Sequence, residues 1–96
     1  MVNTHTLRRQ LLLWIRSAKK NNFSDAAERN EEFNRIWTKV FDISAKNIPT
    51  KIDEAWGYDQ VRNALVNAWA AWKEGDADTM KKDVEEARRR FNRLPE

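Results

Sequence analysis

Asp59 to Leu94 reads DQVRNALVNAWAAWKEGDADTMKKDVEEARRRFNRL, and the spacing of its apolar residues decides the fold. In the first half Val61, Leu65, Ala68, Trp69 and Trp72 return to one side of a helix turning roughly 100° per residue. In the second half Met80, Val84, Ala87, Phe91 and Leu94 do the same. Each half therefore carries a narrow apolar stripe that must be buried. Between them, Gly75 stands where a left-handed residue closes a helix, and Asp76 or Asp78 stands where a carboxylate accepts from the free amides that open the next. So short a connection makes the two helices antiparallel neighbours.

The same reading extends toward the N-terminus. Asn3, Thr4 and Thr6 are alternative caps for a first helix running to about Lys20, with Leu7, Leu11, Trp14, Ile15 and Ala18 as its core stripe. Arg8, Arg9, Arg16, Lys19 and Lys20 fall on the opposite side, with Leu12 among them and Leu13 at their edge. Three consecutive leucines cannot all face one core. Either the stripe is wide because the helix touches two neighbours, or the surplus leucine marks a contact surface for a protein, an acidic membrane or a second copy of the chain.

Lys19, Lys20, Asn21 and Asn22 suit a helix C-terminus, and Ser24 or Asp25 can cap a second helix from Asp25 to about Ser44. Its inward set is Ala26, Phe33, Ile36, Trp37, Val40 and Ile43, with Phe41 at the margin, and Glu31 and Arg35 are spaced to pair on its outer face. Pro49 then disfavours helix at Ile48. Thr50 and Asp53 resemble a capping box, which predicts a short helical turn through Ile52, Ala55 and Trp56. A helix running unbroken through Gly57 would put Ile52 and Trp56 opposite the stripe begun by Val61. The spacing thus predicts a bend near Gly57 and a restart capped by Asp59, the alternative being a continuous helix in which Ile52 and Trp56 serve a different neighbour.

The fold expected is all-α: one domain over residues 1–96, a compact four-helix bundle with a short extra turn before the third main helix and a C-terminal antiparallel hairpin. Composition agrees, since two glycines and two prolines in 96 residues leave little material for the turns of a sandwich or barrel. The run from Ala64 to Ala87 resembles a single tetratricopeptide-type hairpin, with Met80 where that pattern has a small alanine and no second copy beside it; no family is assigned from it.

The inventory for catalysis is thin. Cysteine is absent and the only glycines are Gly57 and Gly75, so neither a thiolate site nor a glycine-rich phosphate loop can be assembled, and a histidine-based triad would have to be built on His5, the only histidine, close to the terminus. Glu74, Asp76 and Asp78 are better explained as helix-end residues than as a calcium loop. The expectation is a non-enzyme without catalytic residues, metal or cofactor. No apolar run is long enough for a membrane span and no signal-peptide pattern opens the chain, which predicts a cytoplasmic protein.

Function is then read by elimination. The preferred expectation is a protein-binding module, an inhibitor, adaptor or accessory subunit that docks on a larger protein through Leu12, Leu13, Trp56 and Tyr58. Tryptophan is enriched among interface hot spots, and Trp56 lies beside the expected bend, off the main stripe. Trp14, Trp37 and Trp72 sit on core stripes, where each indole supplies buried area. The alternative is nucleic-acid binding through Arg8, Arg9, Arg16, Lys19 and Lys20 of the first helix together with Arg88, Arg89, Arg90 and Arg93 of the last. The net charge of +3 is mild for that role, and Glu85 with Arg89, and Glu86 with Arg90, are spaced to compensate locally. Self-association is compatible with either reading.

Overall fold

The computed structural model describes residues 3–42 and 52–95. Four helices follow in order, α1 (Thr4–Lys19), α2 (Ala26–Val40), α3 (Ile52–Lys73) and α4 (Ala77–Asn92), with no strand among the described residues. α1 and α3 each touch all the other helices, whereas α2 and α4 do not meet. The chain is thus an all-α bundle in which α2 and α4 flank a central α1–α3 pair. Ile43, Ser44, Pro49 and Thr50, on which the expected end of the second helix and the capping box depend, lie outside the described residues.

Helix ends follow from local chemistry. Asn3 caps α1, its side-chain oxygen accepting from the Thr6 amide at 3.1 Å, and Asp76 caps α4 in the same way through the Thr79 amide and hydroxyl. The end of α3 is a Schellman turn. The Asp76 amide reaches back to the Ala71 carbonyl at 2.9 Å, the Gly75 amide donates to Trp72, and Gly75 has φ 77°. α1 closes identically, with Asn22 donating to Ser17, Asn21 donating to Ala18, and Asn21 at φ 60°. Asp25 stands at the start of α2 but makes no cap hydrogen bond; its carboxylate instead takes the Arg29 guanidinium at 2.8 Å, one turn on.

The expected bend at Gly57 is absent. α3 runs unbroken from Ile52, so the predicted extra turn is its own first stretch and Asp59 is not a cap. The Asp59 carboxylate is buried within the helix and accepts from Arg62 at 2.8 Å. Gly57 has a different purpose: a Cβ there would stand 3.3 Å from Leu94 Cδ2. Gly57, Ala64, Ala68 and Ala71 recur on one side of α3, and this small-residue side lets α4 approach, with Ala87 fully buried.

The core combines Leu7, Leu11, Trp14 and Ile15 of α1 with Phe33 and Ile36 of α2, and with Tyr58, Val61 and Leu65 of α3. Two aromatic residues outside the helices complete it. Phe23, in the connection between α1 and α2, is buried, and so is Phe41, which follows α2 and stands 5.8 Å from the Tyr58 ring. Trp37 is only partly buried and is fixed by a 2.8 Å hydrogen bond from its indole N–H to the Ala55 carbonyl, which ties α2 to α3.

Two glycine substitutions separate these roles in chemical denaturation. Gly75→Ala meets no neighbouring atom, yet its left-handed backbone should cost about 1 kcal/mol. Gly57→Ala should be neutral or stabilising, because the gain in helix propensity of about 1 kcal/mol exceeds the cost of moving the end of one flexible leucine. A loss at position 57 larger than that at 75 would contradict this account. Asp76 supplies a pH test. Hydrogen bonds from the Thr79 hydroxyl and amide hold its carboxyl below the ordinary aspartate range, so its contribution is complete above that range and fades as pH falls through the depressed value. The difference in thermal midpoint between wild type and Asp76→Ala should therefore be largest near neutral pH and shrink as pH falls below the ordinary aspartate range.

Candidate functional site

A continuous α3 decides which aromatic residues meet water. Residues two apart on a helix point about 200° away from each other, so Trp56 and Tyr58 cannot share a face. The structure leaves Trp56 52% exposed, with Ile52, one turn earlier on the same side, 44% exposed. Tyr58 is fully buried. Its assignment as a docking residue is corrected: it is a core residue. Burial pushes its hydroxyl up in pKa, opposed by the nearby Arg8 charge, and the hydroxyl oxygen has no hydrogen-bond partner of normal geometry.

Trp72 also departs from expectation. It lies on the stripe of α3 but in the last turn, where its ring meets that of Phe23 at a tilt, centroids 5.6 Å apart, and the side chain stays 42% exposed. Trp69, beside it on the wheel, is partly buried, and the Lys73 ammonium sits 3.8 Å from its ring centroid.

The leucine triplet of α1 is divided three ways. Leu11 enters the core, Leu12 is half-buried in a recess between α1 and α4, and Leu13 is 37% exposed. The expected docking residues thus do not form one patch. Leu12 belongs to the α1–α4 seam, Leu13 to the outer side of α1, and Trp56 to the outer side of α3. Ile52 joins Trp56 there; the spacing already puts the two on one turn, but only the tryptophan is named from it as a docking residue.

α1 and α4 are in contact and run antiparallel, so the two basic segments do meet. Arg16, Lys19 and Arg88 border the recess whose apolar floor includes Leu12, Ile15 and Phe91. Of the six other cations named for phosphate contact, Arg8, Arg89 and Arg90 are engaged within the chain. The Arg8 guanidinium lies 4.8 Å from the Phe91 ring centroid and donates to the Pro95 carbonyl at 3.4 Å. Arg89 and Arg90 both bind Glu86, and Arg90 also donates to the Gln60 carbonyl. Their guanidinium groups, Arg89 first, hold the Glu86 carboxyl below its usual range. Glu85 pairs with Arg88 rather than with Arg89, and Arg35 with Glu32 rather than with Glu31, because spacing of three suits these rotamers as well as spacing of four. Arg9, Lys20 and Arg93 are exposed and border neither the Arg16 recess nor the adjoining one lined by Ala18 and Met80.

Among the described residues no group of three or more His, Asp or Glu is arranged to hold a metal ion, and no helix is long and apolar enough to cross a membrane. No family model matches the chain, and neither a curated protein nor a solved structure matches it significantly. The site is therefore argued from its geometry.

Tyr58→Phe tests the reassignment. Removing a buried, unpartnered hydroxyl while keeping the ring should leave stability unchanged within about 0.5 kcal/mol or raise it. A loss above about 1.5 kcal/mol in urea unfolding would mean that the hydroxyl is satisfied in solution.

Proposed function

We propose that this chain is a protein-binding module without catalytic activity, and that Trp56 with Ile52 forms the centre of a docking face on α3. One observation carries the reading: an indole keeps about half its surface in water in a bundle that buries Trp14 completely enough to leave 1% exposed. Half of a tryptophan side chain represents roughly 2–3 kcal/mol of unrealised apolar burial. A small domain has a total margin of only about 5–15 kcal/mol. A bulky side chain held outward at that cost is accounted for when a partner covers it, and tryptophan is the residue most enriched at the energetic centres of interfaces.

The nucleic-acid reading is the weaker of the two. Of the nine cations named for it, Arg8, Arg89 and Arg90 are held by carbonyl or carboxylate partners, and Arg88 shares Glu85. Phosphate affinity scales with the number of contacts made, and only Arg16 and Lys19 of α1 stand in the seam without a carboxylate partner among the described residues.

Trp56→Ser tests the docking face. The variant should unfold within about 1 kcal/mol of wild type, since an exposed position tolerates change. It should lose binding to whatever partner the wild type retains by at least about 2 kcal/mol, some thirty-fold. Wild-type protein that retains no stoichiometric protein partner, or a Trp56→Ser variant that retains it equally, would refute the proposal.

A further inference from the structure

The α1–α4 seam has features that neither packing nor the Trp56 face uses. α1 contains four cations, Arg8, Arg9, Arg16 and Lys19, and no carboxylate. Two recesses follow one another along its line of contact with α4. The first lies over Ala18, Met80 and Val84, and the second over Leu12, Ile15 and Phe91; Lys19 borders both. From Met80 to Phe91 the floor extends along α4 for about 16 Å at 1.5 Å per residue, three helical turns. The flanking charges along this length are Arg16, Lys19, Lys81 and Arg88 against Glu85 alone. An intermittently apolar floor between cationic margins is the complement of a helix with leucine-like residues on one face and carboxylates on either side of it.

We propose that the α1–α4 seam is a second binding surface, and that it receives an acidic amphipathic helix of about three turns from a protein partner. The occupant's apolar residues contact Leu12 and the part of Phe91 that the Arg8 guanidinium leaves open, both side chains being only partly buried, and its carboxylates meet Arg16 and Lys19. Arg88 exchanges or shares its Glu85 contact, which is exposed on both sides and holds it weakly. A nucleic acid would use the same cations but would leave the apolar floor uncovered, and Glu85 would face its phosphates. The inference rests on the protein-docking reading and adds to it a surface and a partner chemistry.

The probe is a synthetic, fluorescein-labelled peptide of about 14 residues, with leucines at helical spacing of three and four and glutamates between them, followed by fluorescence anisotropy. Its control has the same composition with the leucines scrambled around the wheel. The patterned peptide should bind at least about ten-fold more tightly than the control. An R16E, K19E double variant, altered only at exposed positions, should lose at least about ten-fold and should regain binding for a peptide carrying lysine in place of glutamate. Trp56→Ser should bind the peptide as wild type does. Equal binding of both peptides, no binding of either, or tighter binding of single-stranded or duplex oligonucleotides or of phosphatidylserine vesicles would each overturn the proposal. Because the peptide assay ignores Trp56 and partner retention depends on it, failure of the seam and failure of the Trp56 face are read separately.

Discussion

The close approach of α3 and α4 is the constraint on which the rest depends. Gly57, Ala64, Ala68 and Ala71 give α3 a side with almost no side-chain bulk, and Leu94, beyond the end of α4, closes against it at Gly57. That contact requires α3 to be helical at Gly57, in a place where composition alone suggests a break. Once the helix is continuous, the side chains along its first turns have fixed directions: Tyr58 turns inward, toward Phe41 and Arg8, and Ile52 and Trp56 turn out to solvent. The exposed indole is therefore a geometric consequence of a helix that continues through Gly57.

The tryptophans show how position along a helix modifies the meaning of a stripe. Trp14 and Trp72 both lie on apolar stripes. Trp14, well inside α1, is buried to 1% exposure, although its indole N–H finds no acceptor. Trp72 is one residue from the end of α3, where its ring meets Phe23 at a tilt and the side chain stays exposed. Periodicity reports direction around the axis and says nothing about whether a neighbour reaches that level. The same distinction explains Phe23, which is buried from a connection with no period at all.

Much of the fold was legible in the sequence: the α3–α4 hairpin, the left-handed Gly75, the Asp76 cap, and the core side of α1 all follow from spacing and local hydrogen bonding. The errors concentrate at the start of α3. Local propensity and amphipathic pattern both favoured a bend there, and both were overridden by a tertiary contact with Leu94, thirty-seven residues along the chain, that leaves no local trace. With the bend went the assignment of Tyr58 to the surface, whereas the placing of Ile52 and Trp56 on one side survives in the continuous helix. The charge pattern was legible in outline only. Sequence spacing showed that Glu85 and Glu86 lie beside arginines, while the choice of partner depends on rotamers that spacing does not determine.

The distribution of charge then separates two kinds of surface that a net value of +3 merges. On α4 Arg88, Arg89 and Arg90 follow Glu85 and Glu86 by about one turn and pair with them, so much of their field is spent within the helix, and Arg90 is further committed to the Gln60 carbonyl of α3. On α1 no carboxylate intervenes between Thr4 and Lys19, and the cations Arg16 and Lys19 project beside half-buried leucine rather than beside acid. Screening over about 8–10 Å at physiological salt means that such a local excess, and not the total, is what an approaching ligand senses. The seam is therefore cationic at its margins and apolar at its floor, a combination better matched by a carboxylate-flanked helix than by a phosphate backbone, whose charge is continuous and which has no apolar side chains to offer.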